Sequence, residues 1–572
     1  MFWTDALAKL SGASPWELEE RLHALERKEF VRREHRSAVA GSKQYAFVHA
    51  LVRDGAYGQM SRAVRADVHR RVAGWIETLP ADRADDRSEI LAHHLLAAIE
   101  YARAAGLADE HDLVPRAARA LREAGDRAWR IGSQNQAVAF FTRLRELDPS
   151  AEGDPYFLLR LGLALSAGRF GEEGVEELER AAEALADSDP AAAAQATMTR
   201  GEYVWQRGDQ EAAFAYFDRA LALAQGAPLS SEKQTVVAQA SRFLALAGRY
   251  EEAGPLAEQA VAMAEELGDD ELLGDALNNR GVIRVGLRDP RGFDDAERSL
   301  ALALETRSFR AARAYTNLGS HLSEKAGDLV RSEAVTREGI AFCKEMGVGE
   351  TMLRWLEANL ADLLYLNGTW EEALELAEQE IAREPHYIQQ VAFAIRARVR
   401  MARGDIDGAR TDVETTLASA RAIQDPQVLD PSLAEAAEVA WRGGDVARAT
   451  SLLAELGSPL RPEGTAVVEA ALMLHRLGGT VDFGGNEGSP TPWVEAALAI
   501  GADDLGRAAD VLSGVGARAF EAAVRLRAAE VAAAEGRSSE ASGHLAAALA
   551  FYREVGASAY VREAEALLAA AS

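Results

Sequence analysis

The sequence predicts an all-α chain: a right-handed α-solenoid of about ten or eleven helix pairs, preceded by a small domain of different character. Three observations predict it. A turn residue recurs every 36–41 positions through most of the chain. A small residue recurs five positions after that turn. Charge is divided as well. The first 100 residues carry as many basic as acidic side chains, so the whole net charge of −27 falls on the remainder. Apolar residues at 48% and charged residues at 27% suit a packed chain rather than a disordered one. No uncharged apolar run reaches the ~18 residues that span a bilayer. Met1 to Ala13 does not read as a signal peptide. One cysteine, Cys343, excludes an internal disulfide framework and a multi-thiolate zinc site. The expectation is a soluble, cytoplasmic protein with no membrane contact, whose acidic larger part repels nucleic acid.

The elements follow in order. Ser14-Pro15-Trp16-Glu17 is a capping box with proline at the first helical position, opening a helix to about Lys28. Phe30 to Glu34 and Lys43 to Phe47 are short β-like runs around Gly41-Ser42, which predicts a hairpin. Another helix starts near His49. Helix, hairpin and flanking helices make a winged-helix domain over residues 1–60, with a helical connector over 61–130. In the helix from Pro15 to Lys28, acidic and polar groups outnumber Arg21, Arg27 and Lys28, so duplex DNA is the partner that its charge supports least.

The array occupies residues 131–572. Its turns fall at Gly132, Gly168, Gly208, Gly248, Arg288, Gly327, Gly368, Gly404 and Gly444, then at Asp503 and Gly536. Glycine enters a left-handed turn without the ~1 kcal/mol that a Cβ adds. Acidic residues follow at the start of the second helix (Asp209, Glu251, Glu252, Glu371, Glu372, Asp405, Asp445), where they complement its dipole and orphan amides. Ala137, Ala213, Ala253, Ala373, Ala409, Ala449 and Ala541 sit five residues after their turns, letting paired helices approach closely. Phe140, Phe217, Leu256 and Leu376 are the larger apolar residues farther along. This pattern resembles the tetratricopeptide repeat (TPR) in its longer form. Gly478 to Pro492, with five glycines and two prolines, cannot continue a helix and is expected to be an irregular loop, read as a degenerate repeat or a hinge.

Phe47-Val48-His49-Ala50-Leu51-Val52-Arg53-Asp54, with Tyr57 and Gln59, resembles the winged-helix signature of STAND signal-transduction ATPases. The Phe2-Trp3 start, the stretch LEERLHALERKEFVRRE and EILAHHLLAA at 89–98 match too. The likeness is to the actinobacterial branch in which an ATPase module precedes a TPR array, and in which a nucleotide cyclase domain often comes first. The resemblance implies that His49 takes the place of the histidine that contacts the β-phosphate of ADP. The alternative reading is that His49 caps or packs its helix start. No Walker loop (G-x-x-x-x-G-K-[ST]) occurs. The ATPase module is therefore expected upstream, in the same chain or a separate subunit, and ATP or ADP belongs to that module alone. This chain is expected to need no cofactor or metal and to have no enzymatic activity.

Other motifs lack their context. Gly514-Val515-Gly516-Ala517-Arg518-Ala519 follows a helix rather than a strand. His93 and His94 are adjacent, hence on different helix faces, and read as packing and surface residues. Cys343 reads as a small buried residue. What remains is binding. Asn279, Asn317 and Asn359 lie in successive first helices, each nine or ten residues before the turn. They suit the clamping of an extended peptide or, alternatively, hydrogen bonds between repeats. Arg242, Arg280 and Arg396, also in first helices, suit carboxylates. The function expected is a sensor and scaffold arm of a STAND-type ATPase, binding a protein, peptide or small effector. The alternative is a free-standing TPR adaptor.

Overall fold

The structure, a computed structural model, describes residues 2–35, 37, 39, 41–79, 87–107, 112–168, 174–347, 350–386, 388–423, 426–461, 464–485 and 490–571. Among these residues lie 29 α-helices and three short strands. The chain forms two compact units, Met1–Tyr203 and Val204–Ser572.

The first unit opens with β1 (Phe2–Trp3), α1 (Thr4–Ser11), α2 (Pro15–Arg27), β2 (Val31–Arg33) and β3 (Gln44–Phe47). The capping box forms as its residues require: Glu17 N–H donates to Ser14 Oγ, and Ser14 N–H donates back to the Glu17 carboxylate at 3.0 Å. The hairpin gains a third strand that the sequence did not signal. β1 pairs antiparallel with β3, giving the order β1-β3-β2 with Phe2 opposite Tyr45 and Arg33 opposite Tyr45 on the other side. Two residues are too few to show alternation, which is why this strand is invisible to patterning. Leu22, Val31 and Tyr45 make a small core beneath the sheet. Then come α3 (Ala50–Gly58), α4 (Arg62–Glu77), α5 (Arg87–Ala104), α6 (Leu113–Arg130), α7 (Gln134–Leu147), α8 (Pro155–Gly168), α9 (Val175–Leu185) and α10 (Pro190–Gln206). Their core runs from Trp3 and Trp75 through Leu95 and Leu121 to Phe141 and Phe157.

The second unit continues with α11 (Gln210–Gln225) and the pairs α12 (Ser231–Leu246) with α13 (Tyr250–Leu267), α14 (Asp270–Gly286) with α15 (Arg291–Glu305), and α16 (Ala311–Ser320) with α17 (Leu329–Met346). A π-helical turn, His321–Ala326, extends α16. The pairs α18 (Glu350–Asn367) with α19 (Trp370–Ile381), α20 (Gln389–Arg403) with α21 (Ile406–Ile423), and α22 (Pro426–Arg442) with α23 (Val446–Leu456) follow. After α24 (Ala466–Leu477) comes the Gly/Pro-rich stretch, then α25 (Pro492–Gly501), α26 (Leu505–Gly514), α27 (Arg518–Ala534), α28 (Ser538–Glu554) and α29 (Ser558–Ala571). In that stretch residues 486–489 lie outside the described residues, and Phe483 is fully buried among Trp493 and its neighbours.

The repeat chemistry is visible residue by residue. Ten of the eleven turn residues have positive φ, between 62° and 98°, including Arg288 and Asp503, which lack glycine's freedom. Gly168 ends α8, and the residues after it lie outside the described set. All seven alanines are fully buried. Asp209, Asp405 and Asp445 each accept a backbone N–H three residues on, at 2.9–3.0 Å. One expectation shifts by a residue. Phe141 rather than Phe140 is the buried aromatic, and Leu256 and Leu376 are only half-buried, because the packed stripe runs through positions five, nine and twelve after the turn.

The last five helices fold back within this unit. α27 meets α18 and α29 meets α20. Trp493 Nε1 donates at 2.9 Å to Ser323 O, a carbonyl in the π-helical turn, and Ser558 Oγ donates to Arg403 O at 3.1 Å. Three successive turns are thereby covered. A Cβ on Gly327 would lie 2.9 Å from Pro492 Cγ and Val515 Cγ1, on Gly368 2.8 Å from Phe551 Cε2, and on Gly404 3.2 Å from Arg562 Nη2. The Gly248 turn has nothing within 4 Å.

That contrast is testable, because Gly248 and Gly327 have nearly equal φ, 74° and 70°. Gly248→Ala is expected to cost about 1 kcal/mol, from backbone strain alone. Gly327→Ala adds overlap with Pro492 and Val515 and is expected to cost about 2–4 kcal/mol. Urea denaturation of both variants checks this; equal losses would contradict the folded-back packing.

Candidate functional site

The first helices of the second unit carry the residues singled out from sequence. Asn279 on α14 is buried. Its Nδ2 donates to Ala238 O on α12 at 3.0 Å, and its Oδ1 accepts from Arg313 on α16 at 3.0 Å. Asn317 on α16 donates to Asn278 Oδ1 on α14 at 3.1 Å, and Asn359 on α18 donates to Ser320 Oγ on α16 at 3.4 Å. Each amide reaches one repeat back. Periodicity places these three alike, and the structure joins them into a ladder between first helices.

The arginines divide. Arg242 donates to Gln239 Oε1 at 3.2 Å and lies over the Phe243 ring. Arg280 and Arg396 face the second helices instead, because a residue adjacent to Asn279 is turned ~100° around the helix. Arg280 grips Asp295 of α15 with two hydrogen bonds of 2.8 and 2.9 Å, and Arg284 adds a third. Arg396 and Arg400 grip Asp412 of α21 in the same way. The carboxylates these arginines meet are the chain's own.

Asp275 is the electrostatic centre of the asparagine ladder. It lies 2.5 Å from Arg313 and 3.0 Å from Arg310. Burial pushes its carboxyl up, but Arg313, Arg310 and Arg242 outweigh that and hold it at about 2. A cavity of about 10 Å³ between Asp275, Asn278, Ser308 and Arg310 has room for a single water.

In the first unit His49 is the N-cap residue of α3, exposed, and its side chain makes no capping bond. Around it lie exposed apolar side chains: Phe30 and Val48, linked by a 3.1 Å backbone hydrogen bond, and Leu51, which is 85% exposed. A histidine cluster escaped the sequence reading, which treated His93 and His94 alone. His94 Nδ1 lies 2.8 Å from Nδ1 of His69, whose Nε2 lies 2.8 Å from Tyr57 Oη. Burial and the mutual repulsion of the rings push His69 down to about 4 and His94 to about 3, so both are neutral at pH 7. His69 and His94 are 25 residues apart on α4 and α5, a pairing that no single helix's spacing signals. Burial pushes the Cys343 thiol up to about 11. Among the described residues no group of three His, Cys, Asp or Glu could hold a metal ion, and no helix is long and apolar enough to cross a membrane.

No family model and no curated protein matches the chain. Solved structures similar to it include a STAND protein with a tetratricopeptide repeat sensor from Pyrococcus horikoshii, at 15% identity and TM-score 0.33 over 79% of this chain. The chain spans 59% of that structure's length. A Rap protein complexed with competence and sporulation factor is similar at 14% identity and TM-score 0.41, over 69% of this chain and 96% of that one. The apo form of the quorum sensor NprR from B. thuringiensis is similar at 13% identity and TM-score 0.36, over 55% and 92%.

The buried charges set an acid limit. Asp275 is held below its unfolded value of ~3.9, so its stabilisation is complete above about pH 4 and is lost as pH falls through 2. Asp275→Asn is expected to cost about 2–5 kcal/mol at pH 7, since Arg310 and Arg313 lose their buried partner, and to flatten the melting-temperature decline between pH 4 and 2. Asn279→Ala is expected to cost about 1–3 kcal/mol by leaving the Ala238 carbonyl and Arg313 short of a partner. Thermal melts across pH read both.

Proposed function

We propose that this chain is the sensor and scaffold arm of a STAND-type signalling ATPase. In this reading the helical array takes up a protein, peptide or small effector, and the first unit relays occupancy to a nucleotide module. The observation that carries it is the face around His49. The segment that resembles the STAND winged helix turns its histidine outward, with Val48, Phe30 and Leu51 exposed beside it. A strand-and-helix junction that exposes this much apolar surface suits coverage by another module. In this reading His49 on that face meets a nucleotide held by the module, since this sequence contains no Walker loop.

The test uses the flanking coding sequence and the module it encodes. A Walker loop encoded next to this chain supports the reading; its absence replaces the reading with a free-standing TPR adaptor. With the module in hand, Leu51→Asp is expected to weaken its association with this chain at least tenfold. His49→Ala is expected to leave association intact and raise ATP turnover several-fold, by loosening the ADP-bound resting state. The chain alone is expected to hydrolyse no ATP. Undiminished association of Leu51→Asp in a pull-down would overturn the assignment of this face.

A further inference from the structure

Asn279 and Asn359 each stand nine residues before their turn, and their neutral amides donate to the preceding first helix. Farther along the array the same position holds glutamate. Glu435 of α22 precedes Gly444 by nine residues, and Glu469 of α24 precedes Gly478 by nine. Both are buried, at 3% and 6% exposure. An amide donates at any pH, whereas a carboxyl donates only while it keeps its proton.

Both glutamates face one guanidinium group, that of Arg398 on α20. Its Nε lies 3.0 Å from Glu469 Oε1 and 3.6 Å from Glu435 Oε1, and it carries a single hydrogen. Its other nitrogens donate to Glu469 Oε2 at 3.1 Å and to Asp362 of α18 at 3.2 Å. Glu435 Oε1 is left without a hydrogen-bond donor. The other charges on the surrounding helices are committed elsewhere. Glu438 of α22 and Glu563 of α29 hold Arg442, and Glu530 of α27 holds Arg476 and Arg527. Asp412 of α21 is taken by Arg396 and Arg400, while Arg448 and Glu455 of α23 pair with Glu414 and Arg421 of α21. The remaining titratable neighbours are phenols, Tyr365 of α18, Tyr552 of α28 and Tyr560 of α29.

Two carboxyls that share one buried site and one counter-charge repel each other when both ionise. We propose that Glu435 and Glu469 form a proton-sharing carboxyl pair, a latch that holds α22 and α24 on α20 while protonated and loosens them when it ionises, its proton passing to solvent. Burial pushes both carboxyls up, Glu469 to about 7 against the pull of Arg398, and Glu438 and Asp362 add to the rise. Glu469 also lines a cavity of about 40 Å³, large enough for water to take up the proton. Unfolded glutamates titrate at ~4.3. The stabilisation from the retained proton is therefore complete below ~4.3 and is lost as pH rises through about 7. Because α24 also meets α27, the loosening reaches the folded-back helices.

The test follows the full chain between pH 6 and 8.5 in two ways: infrared absorption of the neutral carboxyl C=O, and amide hydrogen exchange corrected for base catalysis. A neutral-carboxyl band is expected at pH 6 and is expected to fade by pH 8.5. Protection of Ala466–Leu477 is expected to drop about tenfold over that range, the loss that one proton released at about 7 produces, while Asp270–Gly286 changes less than twofold. In Glu435→Gln an amide stands where the proton was held, as at Asn279 and Asn359. The band is then expected to shrink, and protection of Ala466–Leu477 to become independent of pH. Glu469→Gln is expected to behave in the same way. A tenfold drop that persists in both variants assigns the proton to another group and overturns the proposal. Absence of any neutral-carboxyl band at pH 6 in the unaltered chain means that both glutamates are ionised, and overturns it even where neither variant folds.

Discussion

Everything in the array depends on one backbone constraint, a single residue in the left-handed conformation between paired helices at ten of its turns. That residue turns the chain back within three or four positions, so the second helix starts beside the end of the first. The close approach this imposes admits only a small side chain five residues later, where the seven alanines are fully buried. Where the sequence departs, the same constraint is met differently. After Gly327 the small residue is Ser332, whose hydroxyl donates to Gly319 O at 2.8 Å. After Arg288 contact shifts to Gly292, where a Cβ would lie 2.7 Å from Gly281 O. Arg288 and Asp503 accept a strain of ~1–2 kcal/mol, and Asp503 is anchored by His475 at 2.9 Å. The turn is conserved in geometry along the chain even where its residue is not glycine.

The constraint has a second consequence at longer range. Identical turns recurring at one edge of the array produce a row of bare backbone corners. α25–α29 lie along three of them, with Pro492, Phe551 and Arg562 within 2.8–3.2 Å of where a Cβ would stand. Glycine at Gly327, Gly368 and Gly404 therefore does two things: it permits the turn, and it leaves room for another part of the chain. The π-helical turn contributes in the same place. Its register frees the Ser323 carbonyl from the usual ladder, and the Trp493 indole takes it.

How much of this was legible follows from the range of each interaction. Turns, N-caps and the alanine contact are local, involving residues no more than five apart, and they stand in the sequence as period and spacing. So do the helix at Pro15 and the two strands of the hairpin. The asparagine ladder was legible as a row but not as a set of partners, because Asn317 and Asn278 are 39 residues apart and belong to different repeats. The arginine clamps on Asp295 and Asp412 follow a helix face that adjacent numbering conceals. The fold-back left no periodic trace at all: Trp493 and Ser323 are 170 residues apart. Its one sequence signal is charge in the wrong place. Arg398, Glu435 and Glu469 interrupt alanine-rich first helices at positions that would otherwise be apolar, and all three are buried.

Those charges bear on why the fold-back has a single register. A repeat array docking on itself faces a problem that a unique core does not: successive repeats present nearly the same apolar corner, so a slip by one repeat would bury similar area. Hydrophobic burial scarcely distinguishes the two arrangements. The ionic contacts do. Arg442 meets Glu563 across 121 residues and Arg476 meets Glu530 across 54, each pair joining a helix of one stretch to a helix of the other. Shifted by one repeat, Glu563 and Glu530 would lie roughly a helix-pair width from those guanidinium groups; the buried Arg476 would lose its carboxylate at about 3–5 kcal/mol, while Arg442 would keep only Glu438. The loss at Arg476 alone outweighs a small gain from alternative apolar contacts. The same buried charges that add little to stability in the correct register disfavour the incorrect ones.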